Sequence, residues 1–391
     1  MTDPVAQIIL LSAGLVLWHL AAWPLLLRVI ARKPASAPAA TRDWPSIALI
    51  VPAHNEARWI AEKIANVAAL AYPPDRLRLV IALDGCSDDT RARAEAALAA
   101  PEAAHLRAGI VETPRNLGKL ATLERQITDA AEDVVALSDA SAILSLDALA
   151  RAAAHFADTG LGAVGGTYVL FADGAENEAR FWSAQTAAKR GEAAIGAPIG
   201  LHGAFYAFRR RLHRHLPPDT INDDFALPMG LVERGWSVAY DAEIRAVELE
   251  PSAAATDFRR RRRIGAGNMQ QSLRCWRLLD PRRPGVALAF ASGKGARPLI
   301  PFAMLAAFAG SASLAASSTV FAAAAAAQAL GWLSVGIVAL HPDAPWPRAL
   351  RAAHYVLVAQ LASGLGGVEY LMGRWRGPWA RVPTGPASAE G

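Results

Sequence analysis

Acidic side chains recur at the ends of short apolar runs in this 391-residue chain. Glu56, Asp84 and Asp139 each follow a run of branched apolar residues within a few positions. A single carboxylate in such a place commonly caps a helix. Three carboxylates brought together would repel each other unless a cation or a proton intervened, and a hard cation shared with phosphate oxygens removes that repulsion. The pattern therefore predicts a site for a cation and a phosphate-bearing ligand.

The elements that must position these carboxylates alternate in type along the chain. Apolar runs predict strands at 47–51, 77–83, 108–112 and 134–137, and the stretches between them predict helices at 56–70, 88–100 and 118–131. This alternation predicts βαβ units in an α/β domain, with a mostly parallel sheet covered by helices on both faces. Ligands of such sheets bind beyond the carboxyl ends of the strands, where the acidic residues lie.

The composition narrows the class of protein. The chain is 53% hydrophobic and 19% charged, which is too apolar for an ordinary soluble enzyme. Its net charge is only +5 and its arginines cluster, so a general nucleic-acid binder is disfavoured. Cys86 and Cys275 are too few for a disulfide framework or a four-cysteine zinc site. No G-x-x-x-x-G-K-[ST] motif occurs, which excludes a P-loop.

The apolar excess concentrates at the two ends of the chain. Residues 5–27 contain no Asp, Glu, Lys or Arg, and roughly 20 such residues span a bilayer. Arg28, Arg32 and Lys33 follow this run and no basic region precedes it, so we expect a membrane helix rather than a cleaved signal peptide. Basic residues just after a span mark the cytoplasmic side, so the body of the protein is expected to face the cytoplasm.

A second apolar block runs uncharged from Leu299 to Leu340, about twice the roughly 20 residues of one crossing. We expect two spans that turn near Ser317 and Thr319, and a last span within 352–372. The alternative is one span plus an interfacial segment in 299–340, which would better satisfy the distribution of basic residues. Either arrangement predicts a multi-pass protein of the inner membrane, with two to three helices after the soluble domain.

These boundaries give the predicted organisation of the chain. We expect an N-terminal transmembrane helix at 1–33, a linker at 34–45, a cytoplasmic domain at 46–275, a juxtamembrane segment at 276–298, transmembrane helices at 299–373 and a tail at 374–391.

Six short motifs occur in a fixed order along the predicted cytoplasmic domain. They are PAHNE at 52–56, DGCSDDT at 84–90, RNLGK at 115–119, SDAS at 138–141, GAFYAFRR at 203–210 and NDDF at 222–225. In these motifs the chain resembles the inverting family 2 glycosyltransferases over about residues 45–275. The resemblance implies a GT-A (nucleotide-diphospho-sugar transferase) fold attached to a membrane, and a nucleotide-sugar donor.

The first three motifs imply the nucleotide site. Matched to the family, Pro52, His54 and Glu56 line the base pocket, Asp84 contacts the uracil and ribose, and Gly118 and Lys119 lie at the diphosphate. A carboxylate at a strand end can accept a hydrogen bond from a base N–H, as such pockets require. The Lys119 ammonium can pair with phosphate, although a lysine at the start of a helix is also often simply solvated.

The SDAS motif implies the cation site. Asp139 matches the first aspartate of the DxD signature, which holds Mg²⁺ or Mn²⁺ against the diphosphate. The third position is Ser141 instead of an aspartate. A hydroxyl is a poorer ligand for a hard cation, so the metal is expected to depend on Asp139, the diphosphate and water.

The NDDF motif implies the catalytic base. Asp224 matches the family's base, which takes the proton of the acceptor hydroxyl, and Asp223 is the alternative if the match is shifted by one place. A helix N-cap followed by acids in the first turn would give the same local sequence.

The acceptor side is expected at Gly203 and at the arginine run that begins at 259. Processive members of the family carry QxxRW there; here Arg260 replaces the Gln, Arg263 keeps the Arg, and Ile264 replaces the Trp. An aromatic face that supports a sugar acceptor is therefore missing, which favours transfer of one or a few sugars. The arginines can clamp the diphosphate, or form a juxtamembrane cluster facing lipid headgroups.

These patterns predict a membrane-bound inverting glycosyltransferase that moves a sugar from a UDP-sugar to a lipid-linked or growing saccharide, with Mg²⁺ or Mn²⁺, membrane lipid and no nucleic acid as partners. Two alternatives stay open. One is a processive polysaccharide synthase. The other is a catalytically silent, nucleotide-binding component of an export complex, which the departures at Ser141, Arg260 and Ile264 suggest. A transporter is disfavoured because the apolar runs hold almost no charge.

Overall fold

The computed structural model describes residues 3–31, 44–170, 176–250, 254–341 and 344–375. Most of the predicted linker at 34–45 and of the predicted tail at 374–391 lies outside these residues. The described chain forms two compact units. A sheet unit contains residues 27–31, 44–170, 176–250 and 277–287, and a helical unit contains residues 3–26, 254–276, 288–341 and 344–375.

The sheet unit contains eight strands. They are β1 Ile47–Ala53, β2 Leu77–Asp84, β3 Arg107–Thr113, β4 Val134–Leu137, β5 Ala142–Leu144, β6 Leu161–Leu170, β7 Tyr206–Arg209 and β8 Ser237–Glu248. Their order across the sheet is β3-β2-β1-β4-β7-β6-β8-β5. Strands β3, β2, β1 and β4 are parallel, whereas β7 runs antiparallel to both of its neighbours.

The helices complete both units. In chain order they are α1 Pro4–Leu17, α2 Trp23–Ile30, α3 Ile60–Ala68, α4 Thr90–Leu98, α5 Lys119–Asp129, α6 Ala148–His155, α7 Glu176–Ile195, α8 Asp223–Glu233, α9 Ala254–Arg274, α10 Pro284–Ser292, α11 Ile300–Ser313, α12 Thr319–Leu340 and α13 Arg348–Leu371. The predicted βαβ order of residues 47–137 is confirmed, with element ends shifted by a few residues.

The parallel strands owe their form to runs of branched apolar residues. Every residue of β1 is buried, as expected of a strand covered on both faces. The core of the sheet unit gathers apolar side chains of β1, β2 and β4 with those of α3 and α6. Because these strands are parallel, their carboxyl ends lie along one edge of the sheet. Tyr206 pairs with Leu137, so the segment before β7 reaches the same edge.

Among the described residues, two helical stretches are long and apolar enough to cross a membrane, judged by length and composition. They are Pro4–Ile30, in which a π-helical turn at Trp18–Ala22 joins α1 to α2, and α12. Within 299–340 we expected two crossings, but α11 has only 14 residues, or about 21 Å of helix, and is too short to span alone. The turn near Ser317 is confirmed, since α11 ends at Ser313 and α12 begins at Thr319.

Helix α9 belongs to the helical unit, although its residues lie within the predicted domain 46–275. It packs along α13 through glycines. A Cβ at Gly265 would lie 2.5 Å from the backbone of Ser363, and one at Gly366 would collide with the carbonyl of Arg262. Arg262 also pairs with Glu369 at 2.6 Å. Close glycine-mediated packing and this ion pair explain why α9 groups with α13 in the helical unit.

Candidate active site

Four groups from separate segments converge at the carboxyl edge of the sheet. A Cβ built on Gly203 would lie 3.7 Å from Lys119 Nζ, 3.8 Å from Asp139 Oδ2 and 3.8 Å from Asp224 Oδ2. Lys119 Nζ also donates to Asp139 Oδ1 at 2.6 Å. The predicted residues Lys119, Asp139, Gly203 and Asp224 therefore border one shared space, which we call the Gly203 crevice.

A proline in α8 fixes Asp224 to this crevice. In a regular helix the carbonyl of residue 224 would accept the N–H of residue 228, but Pro228 has no N–H to donate. The carbonyl of Asp224 instead accepts the backbone N–H of Leu201 at 2.9 Å. The beginning of α8 is thereby tied to the segment that carries Gly203.

Asp223 differs from its neighbour in its contacts. Tyr206 Oη donates to Asp223 Oδ2 at 3.1 Å, which turns this carboxyl towards β7. Burial raises the pKa of Asp223, and the charges of Asp224 and Asp139 raise it further against the opposing effect of Lys119. Both acids lie in the first turn of α8, where the helix N-terminus favours negative charge.

Lys119 is the cation of the crevice. Burial alone would lower the pKa of its ammonium group, but the charges of Asp139, Asp223 and Asp224 raise that pKa above its usual range. The side chain is 18% exposed, so it is charged and still reachable by a ligand. An accessible ammonium among carboxylates is suited to pair with a phosphate oxygen.

Both carboxylate oxygens of Asp84 accept hydrogen bonds from the protein itself. Its Oδ1 accepts the N–H of Leu117 at 2.7 Å, and its Oδ2 accepts the N–H of Gly118 at 2.8 Å. Gly118 has φ +91°, in the left-handed region that favours glycine, and it directly precedes α5. With 1% of its surface exposed, Asp84 positions the start of α5, and its predicted contact with uracil and ribose stays a prediction.

The PAHNE segment lies beside Asp84. The Nδ1–H of His54 donates to the carbonyl of Asp84 at 2.6 Å, and Asn116 Nδ2 donates to His54 Nε2 at 3.2 Å. Pro52 is buried in β1, and Glu56 is 7% exposed, with its backbone N–H on Thr90 Oγ1 at 2.8 Å. The segment is thus packed against the ends of β1 and β2, where we predicted a base pocket.

Residues 138–141 connect β4 to β5, and we call them the Asp139 loop. A buried lysine that the motifs did not reveal supports this loop. Lys63 Nζ donates to Ser138 Oγ at 2.6 Å and to the carbonyl of Ala142 at 2.5 Å, and so brackets the loop on both sides. Ser138 Oγ donates to the carbonyl of Ala204 at 2.7 Å. Lys63 is fully buried and burial lowers its pKa to about 7. Its position on the apolar face of α3 was the only sequence signal.

Ser141, which we predicted as a metal ligand, contacts a carboxyl group of the protein, and its role at the metal stays a prediction. Its hydroxyl hydrogen-bonds to the carboxyl group of Glu248, at the end of β8. Burial raises the pKa of Glu248, which is 9% exposed. Ser141 thus connects the Asp139 loop to β8, a contact that no local pattern indicates because Glu248 lies more than one hundred residues further along the chain.

A divalent cation fits the crevice in its donor chemistry. Asp139, Asp223 and Asp224 place three carboxyl groups around the single Lys119, which leaves an excess of negative charge. Carboxylate oxygens suit Mg²⁺ and Mn²⁺, which protein sites often bind through one or two carboxylates and the phosphates of the substrate. Asp139 Oδ1 is engaged by Lys119, whereas its Oδ2 faces the crevice near position 203.

The remaining predicted residues, Arg260 and Arg263, lie on α9 in the helical unit. Their predicted contact with a diphosphate stays a prediction.

Comparisons with known proteins agree with this description. The sequence model described as "Glycosyltransferase like family 2" matches residues 45–267. An N-acetylglucosaminyltransferase of Mesorhizobium japonicum is 24% identical over 262 residues, which cover 62% of this chain and 60% of that protein. The chain therefore spans about 60% of the length of this curated relative.

A solved structure shows the same fold. The mannosyltransferase PcManGT from Pyrobaculum calidifontis, in complex with GDP-Man and Mn²⁺, superposes with a TM-score of 0.71 at 23% identity. The match covers 94% of this chain and 99% of that chain. The GT-A fold that we expected is confirmed.

Proposed function

The chain belongs to the glycosyltransferase-like family 2, and from this membership we propose that it transfers a sugar from a nucleotide-sugar to a hydroxyl group with inversion at the anomeric carbon. The observation that carries the proposal is the Gly203 crevice, in which a carboxylate, a cation and a second carboxylate border one space. An inverting transfer needs one base near the acceptor and positive charge near the leaving diphosphate.

Asp224 is the proposed base. It takes the proton of the acceptor hydroxyl while that oxygen bonds to the anomeric carbon, and the bond from this carbon to the diphosphate oxygen breaks with its electron pair on the nucleotide. Asp224 is favoured over Asp223 because its Oδ2 borders the crevice, whereas Asp223 is hydrogen-bonded to Tyr206.

Lys119 and Asp139 are proposed for the leaving-group side. Lys119 places its ammonium against a phosphate oxygen, and Asp139 holds a divalent cation by the oxygen that Lys119 does not engage. When bound, the cation supplies neutralisation of the negative charge that develops on the departing diphosphate. Lys63 and Ser141 hold the Asp139 loop in place through hydrogen bonds inside the protein.

The donor is proposed to be a UDP-sugar, and the acceptor a lipid-linked or growing saccharide. Membrane attachment supports a lipid-linked acceptor, because two helical stretches carry exposed apolar side chains such as Leu11, Leu330 and Leu340. Location in the cytoplasmic membrane, with the sheet unit on the cytoplasmic side, is part of the proposal and is supported by Arg28 and its basic neighbours. The structural relative carries GDP-Man, so GDP-mannose is the second donor to be tested.

The test is release of nucleoside diphosphate by the full chain in detergent. The protein is offered a panel of UDP-sugars and GDP-mannose with membrane lipid extract as acceptor, in Mg²⁺, in Mn²⁺ and in chelator, beside the Asp139→Asn variant. We expect release from one donor only, dependent on the divalent cation, and at least about tenfold lower in the variant.

Binding of the nucleoside diphosphate distinguishes a variant that is folded but inactive from one that is misfolded. Retained binding of the nucleoside diphosphate by Asp139→Asn, with an unchanged thermal midpoint, shows that the variant is folded. Release that is independent of metal and equal in the variant contradicts the role of Asp139. Nucleotide binding without turnover of any donor favours the catalytically silent component.

A further inference from the structure

A cluster of two histidines and a glutamate lies outside the Gly203 crevice. Glu124 lies on α5, and His213 and His215 lie on the segment between β7 and α8. His213 Nε2 donates to Glu124 Oε2 at 2.8 Å, and His215 Nδ1 donates to the same oxygen at 2.7 Å. The two nitrogens and the carboxylate oxygen lie within 4.8 Å of one another. We propose that these three residues form a zinc site that fastens the segment before α8 to α5.

The residue types and their number favour zinc. Two imidazoles and one carboxylate are a ligand set that Zn²⁺ binds at about 2.0–2.2 Å, with the fourth tetrahedral position open to water. The Mg²⁺ or Mn²⁺ proposed for the crevice prefers oxygen ligands, so the two sites differ in their chemistry. Around a tetrahedral ion the ligand atoms stand roughly 3.3 Å apart, so each nitrogen has to move about half an ångström away from Glu124 Oε2 to admit zinc.

The site is arranged in advance by its surroundings. The backbone N–H of Leu216 donates to Glu124 Oε1 at 3.1 Å, which fixes the carboxylate and directs Oε2 towards both rings. The ring of His213 packs on Phe208 with centroids 5.8 Å apart. His213 is 9% exposed and Glu124 14%, whereas His215 is 72% exposed. Two ligands are therefore held by the fold, and the third can adjust and leaves an open side for water.

The proton balance sets the expected affinity. Zinc on Nε2 of His213 moves the ring proton to Nδ1, which is buried and has no hydrogen-bond partner in the described part of the chain. Zinc-bound histidines usually donate that proton to a partner, and loss of such a partner weakens binding about 10–100-fold. We therefore expect a dissociation constant of about micromolar rather than the tighter values of closed structural sites.

The place of the cluster links it to the crevice. Lys119 begins the helix that carries Glu124, and the segment with His213 and His215 leads to Asp223 and Asp224. Zinc would hold together the two elements that supply the lysine and the acids of the crevice. Its effect is expected mainly on stability, since none of the three ligands borders position 203.

The test is zinc binding by the metal-free full chain, in detergent and without a polyhistidine tag. Competition against a chromophoric zinc chelator is measured in excess Mg²⁺, for the unaltered chain and for His215→Ala, His105→Ala and Asp139→Asn. We expect one zinc per chain, affinity at least about tenfold weaker in His215→Ala, and unchanged affinity in the other two variants. His105 is the matched control, an exposed histidine that bonds only to the carbonyl of Ala68 at 3.1 Å.

The thermal midpoint of unfolding gives a second measure of zinc binding. Zinc at about ten times its dissociation constant is expected to raise the thermal midpoint by about 3 °C in the unaltered chain and in His105→Ala, but not in His215→Ala. Equal zinc affinity in His215→Ala and the unaltered chain overturns the proposal, as does an unaltered chain that binds no zinc at about 10 µM. In that case the cluster is a hydrogen-bonded contact only.

Discussion

Two lysines contact the Asp139 loop, and their surroundings shift their pKa values in opposite directions. Lys119 faces three carboxyl groups in the crevice, and their charges raise its pKa. Lys63 lies beneath the loop, where it donates to the neutral oxygens of Ser138 and Ala142, and burial lowers its pKa to about 7. The charge of Asp139 opposes this fall without overcoming it.

The difference separates two sets of residues. We call Lys119 and the aspartates that border the crevice the face, and the buried residues that hold the Asp139 loop the floor. On the face, Lys119 and the aspartates stay partly exposed, so each can meet a ligand. On the floor, Lys63, Ser138 and Ser141 have almost no exposed surface and bond to the protein alone. We therefore expect changes on the face to remove turnover, and changes on the floor to misplace the face.

The largest expected effect is on the face, at Asp224→Asn. An amide cannot take the acceptor proton, and loss of a general base commonly lowers kcat about 10²–10⁴-fold. The matched variant Asp223→Asn keeps a hydrogen-bond acceptor for Tyr206 and is expected to lose less than about tenfold. Initial rates of nucleoside diphosphate release, with nucleotide affinity as the measure of folding, compare the two.

The opposite ranking of these variants would show that Asp223 is the base. Equal, small losses in both would mean that neither acid takes the proton, and the comparison of face with floor would lose its chemical basis.

The sequence predicted the face far better than the floor. Asp139 stands directly after an apolar run, so its place at the carboxyl edge follows from the parallel order of β1 and β4. Gly203 and Asp224 stand in short motifs, but their approach also depends on the antiparallel strand β7 and on α8. Lys63 stands in an apolar helix, where a lysine normally reaches solvent along its stem. Nothing local indicates that its ammonium group meets residue 138, because that contact depends on how α3 packs on the sheet.

The absence of a local sequence signal also explains the other contacts that we did not predict. Glu248 pairs with Ser141, and Glu124 with His213 and His215, across separations that no local pattern reveals. The uncharged run indicates the turn near Ser317, but it does not indicate that α11 begins only at Ile300 and ends at Ser313, after 14 residues. The sequence therefore pointed to residues that the structure brings together at the Gly203 crevice, and the packed structure was needed to find the residues that hold them.

A smaller effect is expected on the floor, at Lys63→Met. Methionine fills a similar volume but cannot hold Ser138 and the carbonyl of Ala142, so Asp139 is expected to shift. Misplacement by about 1 Å can cost up to about a hundredfold, and we expect kcat to fall about tenfold or more while donor KM changes less. Ser138→Ala, which also breaks the bond to Ala204, should lower kcat in the same direction.

The readout that distinguishes positioning from general damage is the cation requirement. A shifted Asp139 raises the Mn²⁺ concentration for half-maximal rate in Lys63→Met, whereas a uniformly destabilised protein loses active molecules without changing that concentration. An unchanged kcat and Mn²⁺ requirement in Lys63→Met would show that the floor does not control the face.

The smallest expected effect is the pH dependence of stability that Lys63 causes. Its pKa is about 7 in the fold, against 10.5 for the ordinary side chain. Between these values the unfolded chain binds more protons than the folded chain, so stability rises with pH, by at most about 1.4 kcal/mol per unit. Below about pH 7 both states are protonated and this contribution stays constant.

From pH 7 to pH 8.5, we expect the unaltered chain to gain about 1.6 kcal/mol over Lys63→Met, since methionine has no proton to lose. For a domain of this size that gain is about 3–6 °C in thermal midpoint. Taking the difference between the two proteins cancels groups that titrate in both, including the acids of the crevice. Parallel melting curves across this range would mean that the buried amine keeps its proton, as Lys119 does, and the two lysines would then differ in position but not in charge.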